Sequence, residues 1–198
     1  MNRTILYPVH VASGARIVEF GGWDMPVQYP EGILAEHLAT RRQAGLFDVS
    51  HMGRIEVGGH DATAFLRSVL SNDPARLCQG ESHYTLLPTA TGGALDDAWL
   101  YRFQPDRYLL VVNASNRPKD WEHLTRSAAR FADVRLTDLT EKTAMLSLQG
   151  PVSAELLAPL LEGVLPEARR NACAQARFQG GPALVGRTGY AAEPVGFE

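Results

Sequence analysis

Apolar positions recur along this chain with two periods, one near 3.6 residues and one near two, and the two kinds of stretch are intermixed. The opening segment is rich in Gly and Pro and then turns helical. Ile33, Leu34, His37, Leu38 and Arg41 fall on one helical stripe, with Arg41 and Arg42 near its end and Gly45 as a stop. Residues 46–49 read as a short strand or connector. Residues 54–57 alternate like a strand, and Gly58-Gly59 closes it. Asp61 is placed to cap a helix that turns Phe65, Leu66, Val69 and Leu70 inward. Residues 84–87 form a short strand, and a Gly92-Gly93 turn leads into a second one. Gln104-Pro105-Asp106 is a tight connection to the apolar run 108–112. Asn116 and Pro118 start a helix through Trp121, Leu124 and Ala128 toward Phe131. Residues 143–148 and 183–185 are further strands. A helix from Gly150-Pro151 carries Leu156, Leu157, Leu160 and Leu161. Hairpins without a strict βα repeat predict an α+β fold with antiparallel pairing.

The strand after Gly93 contains two adjacent acids inside an apolar run. Alternation puts Leu95, Asp97, Trp99 and Tyr101 on one face and Ala94, Asp96, Ala98 and Leu100 on the other. Carboxylates are seldom buried without a partner or a task. Asp97 stands among aromatic rings, where desolvation favours its neutral form. Pairing Phe103 with Arg107 across the connection sets Asp97 opposite Asn113, roughly 5 Å away. A slip of one residue would undo that juxtaposition.

The bulk numbers narrow the function. The chain has 198 residues, 45% hydrophobic and 21% charged, with a formal net charge of −3. That balance gives no electrostatic case for nucleic acid or an acidic membrane surface, and no apolar run reaches the ~20 residues of a membrane span. The N-terminal residues lack the apolar core of a secretory signal. Two cysteines far apart, Cys78 and Cys173, point to free thiols in a reducing cytoplasm. The six histidines show no metal spacing, so no metal site is expected.

Six blocks, in order, carry a resemblance: Phe20-Gly21-Gly22-Trp23-Asp24-Met25-Pro26-Val27-Gln28-Tyr29, Gly45-Leu46-Phe47-Asp48-Val49-Ser50-His51-Met52-Gly53, Gly92-Gly93 through Asp96-Asp97, Val111-Val112-Asn113-Ala114, Leu148-Gln149-Gly150-Pro151 and Arg187-Thr188-Gly189-Tyr190. Together they resemble the aminomethyltransferase family, the folate-dependent component of the glycine cleavage system. The resemblance implies a folate-binding domain of two interleaved ferredoxin-like subdomains. Roughly residues 51–140 would be inserted between 1–50 and 141–198, and the family's C-terminal barrel would be missing. It implies tetrahydrofolate as co-substrate and a lipoyl carrier protein as partner, with release of ammonia. It makes Asp97 the catalytic acid, and Met52, Tyr84, Tyr101, Asn113, Tyr190 and Glu198 the pterin-binding residues. His51 is given a structural role.

The chain departs from the family pattern after Tyr190. Ala191-Ala192-Glu193-Pro194-Val195-Gly196-Phe197-Glu198 is one residue longer than the usual segment and has lost a glycine. The apolar residues near Glu198 resemble a cut within a longer protein, which would leave that glutamate frayed in solvent. Three functions follow: the aminomethyl transfer itself; another tetrahydrofolate-dependent transfer or demethylation on the same fold, which the altered loop keeps open; and a non-catalytic folate-binding scaffold. Scaffold relatives carry a cysteine motif near this position, whereas residues 187–198 contain no cysteine.

Overall fold

The computed structural model describes residues 1–189 and 194–198. The chain forms two compact units. One comprises Met1–His51, Thr143–Arg170 and Gln175–Glu198; the other comprises Met52–Lys142 and Asn171–Ala174. The first unit opens with β1 (Asn2–Arg3), α1 (Tyr7–Ala12), β2 (Arg16–Phe20), β3 (Trp23–Gln28), α2 (Ile33–Arg42) and β4 (Gly45–Asp48). The second contains β5 (Gly53–Gly58), α3 (Ala62–Val69), β6 (Glu81–Pro88), β7 (Ala94–Gln104), β8 (Arg107–Val112), α4 (Arg117–Ala128) and β9 (Arg135–Asp138). The remaining elements are β10 (Leu146–Gln149), α5 (Ser153–Leu157), β11 (Leu161–Glu162), β12 (Cys173–Phe178), β13 (Gly181–Gly186) and β14 (Gly196–Phe197). The architecture is mixed α+β, as the periodicity predicts. No described helix is long and apolar enough to cross a membrane.

In the second unit, five strands run in the order β6-β7-β8-β5-β9, with antiparallel pairing throughout. One sheet face buries Ile55, Val57, Leu100 and Leu110 completely, together with Phe65 and Leu66 of α3 and Leu124 of α4. Phe65 meets Phe131 edge to face at 5.7 Å. Asp61 precedes α3 without capping it; its carboxylate instead accepts from the backbone N–H groups of Ala132 and Asp133. A residue that reads as a local cap is thus a tie to the loop after α4.

Two smaller sheets, β1-β3-β2 and β14-β10-β4, belong to the other unit, and the third, β11-β12-β13, does so except for Cys173 and Ala174 at the start of β12. The β2–β3 hairpin turns at Gly21 and Gly22, both with positive φ, a backbone state that glycine adopts without strain. A buried polar cluster ties α1 to its neighbours. His10 joins the Tyr29 hydroxyl at 2.8 Å and the Asp48 carboxylate at 2.9 Å, and Thr4 donates to Asp48 at 2.6 Å. Burial alone would raise the Asp48 carboxyl, but hydrogen bonds from His10, Ser50 and Thr4 outweigh it and hold Asp48 below the usual range.

Two helical stripes differ from expectation. In α2, Ile33 and Leu34 are exposed, and the buried residue is Thr40, whose hydroxyl donates to the Glu36 carbonyl. The predicted helix after Gly150-Pro151 is short, and Leu156 and Leu160 remain exposed. In both segments leucine spacing suits a helix, while tertiary packing decides which side is covered.

Candidate functional site

The β7–β8 hairpin fixes the acidic pair. Ala98 pairs with Val112 and Arg102 with Tyr108, the register that sets Asp97 opposite Asn113. A bulge after Arg102 makes Gln104, rather than Phe103, the partner of Arg107. The extra residue is absorbed next to the turn, so the far end of the hairpin keeps its alignment. Asn113 Nδ2 donates to Asp97 Oδ1 at 2.8 Å, to the Asp97 carbonyl at 3.2 Å and to Asp96 Oδ1 at 3.0 Å.

The two acids are placed differently. Asp96 lies on the core face with Ala98 and Leu100 and is 6% exposed. It also accepts from the Asn113 backbone N–H at 3.2 Å and from Asn116 Nδ2 at 2.6 Å. Burial raises the Asp96 carboxyl, but hydrogen bonds from Asp120, Asn113 and Asn116 pull it below the ordinary range. Asn116, the residue before α4, spends its side chain on Asp96 instead of capping the helix. Asp97 is half-buried on the opposite face. The turn before the acidic pair is closed by Thr89, whose hydroxyl accepts from Gly93 N–H at 3.0 Å, and Gly92 takes positive φ.

The aromatic face is also built from paired strands. Tyr84 of β6 lies opposite Trp99, their rings meet edge to face at 6.1 Å, and Leu86 pairs with Asp97. Trp99 Nε1 donates to the Ser82 hydroxyl at 3.0 Å. Tyr84 is 43% exposed, and its hydroxyl is raised by burial and by the charge and hydrogen bond of Asp97. Tyr101 is buried, stacked on Phe103 at 5.7 Å and 11°. Met52 is half-buried at the start of the unit, and its carbonyl accepts from the buried Arg54 guanidinium, which also reaches the Thr140 carbonyl. The second unit thus contains Met52, Tyr84, Asp97, Tyr101 and Asn113. The structure brings Asp97, Asn113 and Tyr84 directly together.

Glu198 lies in the first unit and is half-buried. Its backbone pairs in both directions with Gly186, at 2.7 and 2.9 Å, and its carboxylate accepts from the Thr188 hydroxyl at 2.9 Å. It is therefore anchored rather than frayed. Gly189 and Gly196 flank the buried Gln149, and a Cβ at either position would overlap the Gln149 amide. Gln149 donates to the Ser147 hydroxyl and to the Thr188 carbonyl. Tyr190 lies outside the described residues, as does most of the altered loop.

This geometry can be set beside known proteins. Residues 6–198 match the family described as the GCVT N-terminal domain. The chain belongs to this family. It is 47% identical over its whole length to aminomethyltransferases of Deinococcus deserti and of Thermus thermophilus, covering 55% and 56% of them. It is also similar to the crystal structure of glycine cleavage system aminomethyltransferase T from Bartonella henselae. The TM-score there is 0.88 at 38% identity, over 99% of this chain and 52% of that one. Heterotetrameric sarcosine oxidase from Corynebacterium sp. U-96 shares the fold, with a TM-score of 0.64 at 18% identity. The chain spans about half the length of the curated relatives it matches.

In the sequence of this GCVT N-terminal domain Asp97 and Asn113 stand out, whereas Asn116 reads only as a helix start and Asp120 belongs to no motif. Asp120, Leu124 and Ser127 are the buried positions of α4. Their spacing of four and three marks one helical stripe, the signal that sets Asp120 apart from a solvated acid.

Proposed function

We propose that the chain supplies the folate-binding part of an aminomethyltransferase of the glycine cleavage type. An aminomethyl group on the lipoyl arm of a carrier protein is transferred to tetrahydrofolate. Ammonia leaves, methylenetetrahydrofolate forms, and the arm is left as its dithiol. The observation that carries this reading is the Asp97 carboxylate, half-buried and held by Asn113 at 2.8 Å, in a chain of this family. A cytoplasmic, one-carbon role in glycine breakdown follows from the same reading.

The side chains suit a flat, reduced pterin. Its ring N–H groups are donors, and a positioned carboxylate accepts such donors strongly and directionally. Asp97 takes that part and stabilises the positive charge that develops as ammonia departs, an electrostatic effect of a few kcal/mol. Asn113 holds Asp97 in place. Tyr84 offers an exposed ring edge, while Tyr101, buried against Phe103, is a pterin contact proposed by motif. Met52 supplies a soft, adaptable surface. Glu198 and Tyr190 are further pterin contacts proposed by motif. Bringing folate and carrier arm together contributes more than any one of these groups.

The experiment supplies aminomethyl-loaded lipoyl carrier and tetrahydrofolate and measures ammonia and methylenetetrahydrofolate, for wild type and Asp97→Asn. The proposal expects both products in equal amounts, and a loss of at least about tenfold in the variant. The altered loop at 191–195 supports a second reading, in which an N-methyl amine replaces the carrier as donor: its methyl group passes to a tetrahydrofolate nitrogen, whose proton goes to the departing amine, and the products are methyltetrahydrofolate and the demethylated amine. Turnover with that donor and none with the carrier would replace the first reading by the second.

A further inference from the structure

The first acid of the Asp96-Asp97 pair raises a question of proton placement. The carboxylate of Asp96 accepts three hydrogen bonds from Asn113 and Asn116. Facing it is Asp120, one helical turn beyond Asn116 and completely buried. The Asp120 backbone N–H is already committed to the Asn116 carbonyl at 2.9 Å. No nitrogen donor or hydroxyl among the described residues reaches either of its carboxyl oxygens. The group within hydrogen-bonding reach is the Asp96 carboxylate itself.

Two buried carboxylates in contact do not both ionise near neutral pH. Asp96 has donors that favour its charged form, whereas Asp120 has none, and an ion buried without partners is very costly. The shared proton therefore resides on Asp120, whose O–H donates to Asp96. Asp96 in turn fixes the same Asn113 side-chain amide that reaches Asp97 at 2.8 Å.

We propose that Asp120 is a positioning residue for the folate site argued above: its carboxyl O–H anchors Asp96, Asp96 fixes the Asn113 amide, and that amide aims the carboxylate of Asp97. The purpose of this relay rests on the folate reading; its contacts exist without ligand. Burial, then the contact and charge of Asp96, push the Asp120 carboxyl up to about 8; Lys119 acts against this and Asp97 adds to it. The ionisable groups facing Asp120 are thus Asp96 and Asp97 from β7 and Lys119 from its own helix. Loss of its proton sets two anions face to face and removes the anchor of Asp96.

The first arm of the test needs no ligand. NMR follows the aspartate carboxyl carbons and the Asn113 side-chain amide of this chain from about pH 6 to about pH 10. The Asp120 carboxyl is expected to titrate far above the ordinary carboxylate range, and the Asn113 NH₂ resonances to move with the same midpoint. In Asp120→Asn, whose amide still donates to Asp96, the Asn113 resonances are expected to stay at their low-pH positions throughout. The second arm measures tetrahydrofolate affinity by calorimetry. Wild-type affinity falls roughly tenfold through the same midpoint, Asp120→Asn shows no such fall, and Asp120→Leu binds weakly at every pH.

An Asp120 carboxyl that titrates with ordinary carboxylates, or an Asn113 amide unmoved by its titration, overturns the proposal even when tetrahydrofolate binds. The wild-type titration decides this whether or not the variants fold. Coupling of Asp120 to Asn113 in a chain that binds no tetrahydrofolate supports the relay to Asp97 and overturns the folate reading instead.

Discussion

Replacing Asn113 by alanine removes one amide that serves two acids, and the geometry indicates how the damage divides. Asp97 loses its 2.8 Å side-chain donor, while Asp96 loses one bond of 3.0 Å and keeps that from Asn116 and that from the backbone at 113. Hydrogen bonds to charged groups contribute about 1.5–3 kcal/mol each, and both acids are partly exposed or retain other donors. The expected stability loss is therefore about 2 kcal/mol in total, a fall in Tm of about 4–8 °C for a chain of this size. Tetrahydrofolate affinity is expected to drop about tenfold or more, since each factor of ten needs only about 1.4 kcal/mol of lost orientation. Asn116→Ala is the control: it takes the 2.6 Å bond from Asp96 and leaves the Asp97 donor untouched. It should cost similar stability but far less affinity. Thermal denaturation and calorimetric titration of both variants read the two effects separately. Equal affinity losses in the two variants, or unchanged affinity in Asn113→Ala, would refute the assignment of Asn113 to Asp97.

Three further outcomes are expected. Phe65→Ala, at a wholly buried position against Phe131, should cost about 3–5 kcal/mol in denaturant unfolding. Gly196→Ala pushes a methyl group into the buried Gln149 amide, which should cost about 1–3 kcal/mol and weaken tetrahydrofolate binding by shifting the strand that leads to Glu198. The pH dependence has two opposite components. Asp48 and Asp96 are depressed, so their contribution is present above the usual carboxylate range and is lost as pH falls through their lowered values. Asp120 is raised to about 8, so its contribution is complete at low pH and is lost as pH rises toward that value. The unfolding free energy from urea titrations should therefore decline from about pH 5 to about pH 8 with a slope of up to about 1.4 kcal/mol per pH unit from this group, and Asp120→Asn should flatten that decline.

The β7–β8 hairpin shows what is legible in the sequence. Its strands alternate cleanly and its connection is short, so register follows from the turn, and the bulge at Phe103 does not propagate to Asp97. The α+β class follows from the same mixture of periods. Helix faces are less legible. The stripe in α2 is a spacing argument, yet Ile33 and Leu34 are exposed while Glu36 accepts from Tyr29 N–H. Polar ties to neighbouring turns, rather than apolar spacing, accompany the way that helix faces. Asp61 and Asn116 illustrate the same limit. Both read as caps, and both spend their side chains on partners elsewhere in the chain. The stripe with Leu124 and Ser127 marks Asp120 as buried, but its partner is not legible in the sequence, because Asp96 meets it from a strand distant along the chain.

The measurement closest to the central claim is the dissociation constant of tetrahydrofolate for the wild-type chain and for Asp97→Asn, taken with Thr188→Val as a probe of Glu198. Removing the charge of Asp97 while keeping its shape should weaken binding at least about tenfold with little change in Tm. Loss of the Thr188 hydroxyl, which steadies Glu198 at 2.9 Å, should weaken it by a smaller factor. Wild type and Asp97→Asn binding tetrahydrofolate with equal affinity would contradict the account.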